Sequence, residues 1–395
     1  VATANANVKL TRADWLIIAS LAMASMLGTL NNAALNPFLP DVARDMNSSV
    51  PVLGQTVTIM FIVSGLIGLV AGPIADHYGH RRLLLIGLGA LVINAFGTAL
   101  APGFVALFII RLAGGFAGAV LSGVALAIAG TRFQGEVRRK AVSLSAASMA
   151  GGPILGIPLL TSVGGTFGWR WAFAVFAVVA VFGMLLISKV LTPDPSRDPS
   201  PFQLSSVLSA YKPIFEHRPT LGLISATALR ALSWNGVITY AGAYFIAERG
   251  LSTGMAGIVY VAGGTGFLTG SLAAGGPLGR FPPVRTVVLT TGTSGILFGM
   301  LFVLPGIPLP LASLAIGGFI GSFGWVAATT LLSNTSPAGA ATTMVLNGSG
   351  TNLGSAAGGA IGGALIATAG YTTAGLILPA FAFASSLVIW ISSRR

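Results

Sequence analysis

Gly72-Pro73-Ile74-Ala75-Asp76-His77-Tyr78-Gly79-His80-Arg81-Arg82 is a polar island between two apolar runs, 51–71 and 83–101. Each run is about long enough to cross a bilayer's hydrocarbon core, which takes about 20 residues as a helix. Gly72 and Gly79 permit a sharp turn and close helix approach. One acid, Asp76, sits among Arg81, Arg82 and two histidines, a mixture able to form a switchable charge network at a helix end. A polar hinge between two membrane-length runs is the unit from which a polytopic helical membrane protein is built.

Working outward, the same unit recurs. Apolar periodicity predicts helices over 15–39, 51–71, 83–101, 103–130, 142–164 and 168–190, then 219–246, 253–275, 285–304, 309–332, 339–366 and 371–392. The fold class is all-α and polytopic, with twelve transmembrane helices in two pseudo-symmetric six-helix bundles. Composition agrees: 54% of the 395 residues are hydrophobic and 8% charged, against roughly a quarter charged in a soluble domain. Soluble enzyme, disordered chain and nucleic-acid binder are excluded. With no cysteine, disulfides, thiolate nucleophiles and cysteine metal sites are excluded too. Val1 is read as a trimmed start, and the run from Trp15 lacks a cleavage site, so it is kept as a spanning helix.

The formal charge of +12 lies in short loops, as the orientation rule for membrane helices demands. One side collects Lys9, Arg12, Arg81, Arg82, Arg132, Arg138, Arg139, Lys140, Lys189, Arg197, Lys212, Arg218, Arg280, Arg285, Arg394 and Arg395; the other has Arg44, Arg170 and Arg249. This asymmetry predicts both termini in the cytoplasm. The polar stretch 191–218, with Pro193, Asp194, Pro195, Arg197, Asp198 and Pro199, divides an N-terminal bundle (1–190) from a C-terminal bundle (219–395) as a cytoplasmic linker. A weak repeat at an offset of 204 sets Gly72-Pro73 on Gly276-Pro277, Arg81 on Arg285 and Asn31 on Asn235. Repeated halves are a mark of secondary transporters.

The opening motif resembles the loop motif of the major facilitator superfamily: glycine, two residues, a small residue, Asp, basic, any residue, Gly, then basic residues. His77 and His80 stand where that family carries Arg or Lys, which makes their charge weaker and pH-dependent. Arg111-Leu112-Ala113-Gly114-Gly115-Phe116-Ala117-Gly118 resembles its intramembrane arginine motif. The alternative for Arg111 is a structural arginine snorkelling to the interface. Ser148-Met149-Ala150-Gly151-Gly152-Pro153-Ile154-Leu155-Gly156-Ile157-Pro158 resembles its Gly-Pro antiporter motif, although Ser148 and Ile157 replace glycines. Pro153 removes a helix hydrogen bond and the glycines admit a close neighbour. Gly168-Trp169-Arg170-Trp171-Ala172-Phe173 is similar to the start of the sixth helix in many efflux members. The resemblance covers nearly the whole chain and is closest to the twelve-helix drug:proton antiporter branch. The second half keeps only Gly276-Pro277-Leu278-Gly279-Arg280-Phe281-Pro282-Pro283-Val284-Arg285, without the acid.

The resemblance implies a conformational latch at Gly72, Asp76, Gly79, Arg81 and Arg82. It implies proton coupling at Arg111 and an antiporter motif at Gly152, Pro153 and Gly156. Polar residues within apolar helices are the candidates for a substrate pathway. Asn32 and Asn36 share a face of the first helix beside Asn31; Arg230 and Trp234 share a face of the seventh, followed by Asn235, Tyr240 and Tyr244. Gln55, Trp325, Asn347 and Asn352 are weaker candidates, and any one asparagine can instead bond a neighbouring helix. Arg230 falls roughly 16 Å into its helix, and Trp234 one turn on is placed to stack on it. Gly350, Gly354, Gly358 and Gly362 read as close packing. No acid falls at mid-membrane, so Asp41 is the best available proton site; its alternative is an interfacial acid ending a helix. The sequence therefore predicts a monomeric secondary transporter of the inner membrane, exporting a small amphipathic molecule or drug against protons. Its partners are substrate, protons and lipid, not nucleic acid. No enzymatic activity, cofactor or metal is expected. An organic-anion exchanger or facilitator is the nearest rival, and a channel or receptor a more distant one.

Overall fold

The computed structural model describes residues 11–192, 203–276 and 282–392. Lys9, Arg197, Arg280, Arg394, Arg395, Pro277 and the acids Asp194 and Asp198 lie outside them. The first crossing is α1 (Arg12–Ala33), followed through a tight turn at Asn36–Phe38 by α2 (Leu39–Asp45). Then come α3 (Val50–Tyr78), α4 (His80–Leu100) and α5 (Phe104–Arg132). The fifth crossing is α6 (Gly135–Gly151) and α7 (Ile157–Phe167) joined by a wide turn at Gly152–Gly156, and α8 (Trp169–Val190) is the sixth. Two short helices, α9 (Leu204–Ser209) and α10 (Lys212–Glu216), precede α11 (Arg218–Arg249), α12 (Gly257–Ala274), α13 (Pro283–Val303), α14 (Pro308–Asn334) and α15 (Ala340–Ser392).

Among the described residues, eleven helical stretches are long and apolar enough to cross a membrane. The last, α15, has 53 residues, about 80 Å at 1.5 Å per residue and far more than one crossing needs. It breaks at Gly370, where φ is 79° and ψ 176°, a region essentially reserved for glycine. Two crossings meet there, and the total is twelve. They form two six-helix bundles, α1–α8 and α11–α15. In the first, α5 packs on α1, α3 and α4; in the second, α15 packs on α11 and α13, and α14 on α12 and α13.

Helix ends follow local chemistry. Thr11 and Asp14 cap α1 reciprocally, and Ser49 accepts the Val52 amide before Pro51 opens α3. One expectation is corrected. Gly72 does not make the turn after the second crossing: α3 runs through Gly72 and Pro73 to Tyr78, so Asp76 is helical. A single internal proline removes one hydrogen bond without ending a long helix whose neighbours hold it. Gly79 alone turns the chain, with φ at 109°.

Candidate functional site

The first bundle is drawn together around the glycines of α5. Asn31 of α1 donates its amide to the Gly114 carbonyl at 2.9 Å, and Asn94 of α4 donates to Asn31 Oδ1 at 2.8 Å. Ser64 of α3 donates to the Gly115 carbonyl at 2.7 Å. An added Cβ at Gly114 would sit 2.8 Å from Asn94, and one at Gly118 would sit 2.6 Å from Asn32 Oδ1. Glycine is required here because side chains from neighbouring helices occupy the space. Asn31 and Asn94 are both buried, so each stands on the other's hydrogen bond.

Arg111 lies one turn from Gly114 and is only 1% exposed. Full burial rules out snorkelling. Its guanidinium lies 5.6 Å from the Phe173 ring centroid, and neither Nε nor Nη2 has a hydrogen-bond partner. Asn36 Oδ1 and Asn32 Oδ1 are likewise buried without partners.

The antiporter-like segment is the wide turn of the fifth crossing. Ile157 N–H bonds to the Gly152 carbonyl, five residues back, and Pro153, having no N–H, leaves the Met149 carbonyl without its ordinary donor at the start of this wide turn. Gly152 abuts Thr29 and Leu30 of α1, with an added Cβ 2.6 Å from Thr29 Oγ1, and Gly156 abuts the Leu30 side chain. On the other side Ile154 and Pro153 meet Gly264 of α12. The segment is wedged between the two bundles.

At the basic face, where Arg12, Arg81, Arg82 and Arg132 lie, Asp76 Oδ1 is 3.3 Å from His80 Nε2, with the Asp76 side chain 76% exposed. Arg81 donates to the Ser188 carbonyl of α8 at 2.8 Å, and Arg82 is exposed. Thus the motif ties α3, α4 and α8 within one bundle. Gly72 has open space around it.

At the opposite face the bundles touch. Asp41 pairs with Arg44 and accepts the Thr253 hydroxyl at 2.6 Å across the interface. Nearby, an added Cβ at Gly165 would sit 2.6 Å from the Gly254 Cα. A cavity of about 620 Å³ opens there, lined by Asp41, Ser162, Thr166, Trp169, Ser252 and Thr253 among others. Arg170 pairs with Asp45 and lies 4.4 Å over Trp169.

The expected substrate residues of α11 divide. Arg230 is half-buried and makes no hydrogen bond, ion pair or ring contact with the described residues. Trp234 does not stack on it: its ring lies 4.9 Å from Phe298, because an indole gains more apolar contact in the α11–α13 packing than over a charge. Asn235 donates to Ala231 of its own helix at 3.2 Å. Tyr240 is 1% exposed and donates to the Gly359 carbonyl at 2.8 Å. It sits where Gly54 of α3 meets Gly363 of α15, so its place is in the contact between bundles. Gln55, beside Gly363, donates to Pro51 at 3.4 Å. Asn347 is buried with Oδ1 unpartnered. The structure thus places Asn32 against α5, Asn36 in the turn that packs on α11, and Tyr240 with Gln55 at the α3–α15 seam. Asn94, Thr253 and Phe173 were not singled out from sequence, since each gains meaning only from a partner 60 or more residues away.

The sequence profile of the Major Facilitator Superfamily matches residues 21–315, three quarters of the chain, from α1 to the start of α14. The chain belongs to the major facilitator superfamily. Among curated proteins it is similar to the uncharacterized MFS-type transporter YwfA of Bacillus subtilis, 29% identical over 161 residues, or 41% of this chain and 39% of that protein. It is 30% identical over 192 residues to the Multidrug resistance protein B homolog of Mycobacterium tuberculosis, covering 48% of this chain and 34% of the relative. It is 34% identical over 177 residues to the puromycin resistance protein pur8 of Streptomyces alboniger, covering 43% and 34%. The matches span 28% to 60% of the first such relatives' own length. A solved bacterial homolog of the human lysosomal transporter Spinster, inward-facing and unoccupied, superposes with a TM-score of 0.78 over 97% of this chain and 98% of that one, at 14% identity. That likeness shows the fold. As a member of this superfamily the chain is a multi-pass membrane protein.

Proposed function

We propose that this protein is a secondary transporter working by alternating access, and that it exports a small amphipathic molecule in exchange for protons. The observation that carries the reading is Arg230: a guanidinium deep in α11, half-buried and without a partner among the described residues. An arginine at membrane depth stays charged and is costly unless it meets water, a carbonyl or a ligand. A solvated path between the bundles satisfies it, and a substrate with an acceptor group engages it. The drug-resistance relatives support efflux. The protein is taken as an inner-membrane monomer with its two bundles divided at 191–218, and the basic-residue asymmetry supports both termini being cytoplasmic. Asp76, with Arg81 and Arg82, serves as the latch; Asp41 and Arg111 are the groups for proton coupling. Asn32, Asn36, Arg230 and Asn347 face the substrate path, with Trp234 and Phe298 as an apolar wall.

The test is counterflow in proteoliposomes with and without an imposed pH gradient. The expected result is flux driven by the gradient, with Asp41→Asn removing that dependence while exchange persists. A second reading, an organic-anion exchanger, is favoured by one observation: Arg111 and Arg230 pair with no acid among the described residues. Flux insensitive to the pH gradient but driven by an anion on the far side would replace the first reading with the second. Arg230→Ala separates cargo classes: its affinity loss should be larger for an anionic than for a cationic ligand, and an unchanged ratio removes Arg230 from the substrate path.

A further inference from the structure

Pro73 lies inside α3. Having no N–H, it leaves the carbonyl four residues earlier, that of Leu69, without its helical donor. A carbonyl at membrane depth cannot stay unpaired without cost. The structure supplies the donor from elsewhere in the chain: the Tyr211 hydroxyl, 142 residues on, donates to Leu69 O at 2.6 Å. Tyr211 immediately precedes α10, and its ring is buried. Burial raises its phenol above the usual value, so the proton needed for donation is held at every physiological pH.

The position of α10 gives this bond its meaning. Ile214, one turn after Tyr211, is buried with Leu223, Ile224, Val287, Leu332 and Ile389 of the second bundle. The segment between the halves is therefore seated on the second bundle, while its tyrosine reaches the first, one turn from the Gly72–Asp76 motif. Lower down, α3 and α15 pack closely at glycines: an added Cβ at Gly65 would sit 2.9 Å from the Leu353 side chain, one at Gly68 3.1 Å from Ser349 Oγ, and one at Gly359 2.8 Å from Thr58 Oγ1. At the basic face Tyr211 adds a directed bond to that smooth contact.

We infer that Tyr211 is a conformation-setting residue: by filling the acceptor that Pro73 vacates, it straps the linker to the first bundle and holds the bundles together at the basic face. Separating α3 from the second bundle there must break the bond and expose the Leu69 carbonyl. The inference uses the alternating-access reading only in taking the bundles to move. Its test reads distance rather than flux, so a wrong cargo or coupling ion would leave it standing.

The chain has no cysteine, so spin labels can be placed without background. Lys140→Cys and Asn334→Cys put one label on each bundle at exposed positions of the basic face, and pulsed electron resonance on the full chain in nanodiscs, without substrate, gives the populations of short and long distances. Tyr211→Phe keeps the ring and removes the donor. It is expected to raise the long-to-short ratio by about two- to tenfold, the weight of one hydrogen bond and its orphaned partner. Repeated in Pro73→Ala, where residue 73 again has an N–H for Leu69, the same change should move the ratio by less than half as much on a logarithmic scale. Equal shifts in both backgrounds, or a shift below twofold in the native one, overturn the assignment. Should Tyr211→Phe fail to accumulate, Pro73→Ala alone decides: sharing the carbonyl weakens the strap and lengthens the distance, and an unmoved distribution overturns it.

Discussion

The two bundles share an architecture but are fastened differently. In the first, side chains fill the notches that glycines leave: Asn94 against Gly114, Asn32 and Ser64 against Gly118, Val120 against Gly87, Ile110 against Gly97. In the second, the closest approaches are more often backbone on backbone, although Phe302 fills the notch at Gly375 and Phe298 that at Gly317. Gly354 and Gly358 face the carbonyls of Ala228 and Leu232, Gly266 and Gly270 those of Ala315 and Phe319, and Gly318 that of Gly263. A side chain can rotate away from an intruder; a carbonyl in a helix cannot. Hydrogen bonds cross between helices in both bundles, Ser64 to Gly115 in the first and Ser385 to Ala226 in the second, but the second relies more on direct backbone approach.

The sharpest way to break this comparison is one methyl group in each half. Gly354→Ala drives a Cβ into the Ala228 carbonyl and should cost about 2 kcal/mol or more, with α11 and α15 forced apart. Gly87→Ala meets only the side chains of Val120 and Leu121 and should cost less than half as much. Thermal unfolding in one detergent compares them, and equal costs would erase the distinction.

Next in size are the asparagines that the weak repeat superposes. Asn31→Ala removes a bond to the Gly114 carbonyl and leaves the buried Asn94 amide without its acceptor, a loss of about 1–3 kcal/mol. Asn235→Ala removes a bond to its own helix and should stay within about 0.5 kcal/mol. Denaturation midpoints decide, and a reversed order would mean that Asn235 has a role toward the second bundle that this structure does not hold.

Between the bundles, Thr253→Val removes the hydroxyl that Asp41 accepts. Opening of the opposite face should become easier by about 1 kcal/mol, read as faster labelling of a cysteine placed at the buried Thr161, with global stability nearly unchanged. Smallest in stability, Asp76→Asn changes a largely exposed group paired with His80 and should leave unfolding within about 1 kcal/mol of wild type. Transport should nonetheless fall, because a latch biases states rather than folding. Unaltered transport would remove Asp76 from that role.

Much of the fold was legible because a bilayer reads sequence simply. Length and apolarity set the twelve crossings, and the structure moves their ends by a few residues. Gly79, Gly152 and Gly156 could be singled out because their spacing with Asp76 or Pro153 is local. Arg111 stood out as a charge in an apolar run, but whether it was buried depended on Phe173, which no local pattern supplies. Trp234 was placed over Arg230 by helical spacing alone. The two do share a face, yet Phe298 of another helix competed for the indole. Tyr211 passed unnoticed in a polar stretch. The vacancy it fills was written in Pro73, but nothing in the sequence says which of the chain's hydroxyls would reach it.

Three joins between crossings consist of one residue each: Gly79, Gly168 and Gly370, all with positive φ. Two of these, Gly168 and Gly370, lie on the face away from the basic residues, and they introduce the last crossing of each half. The other connections on that face are also brief, such as 46–49, 101–103 and 304–307. A protease or an antibody needs a length of yielding chain to grip, and this side of the molecule offers almost none. Whatever meets the protein from that direction finds mostly helix ends joined by the shortest of turns, a surface hard to cut and hard to extend by inserting sequence.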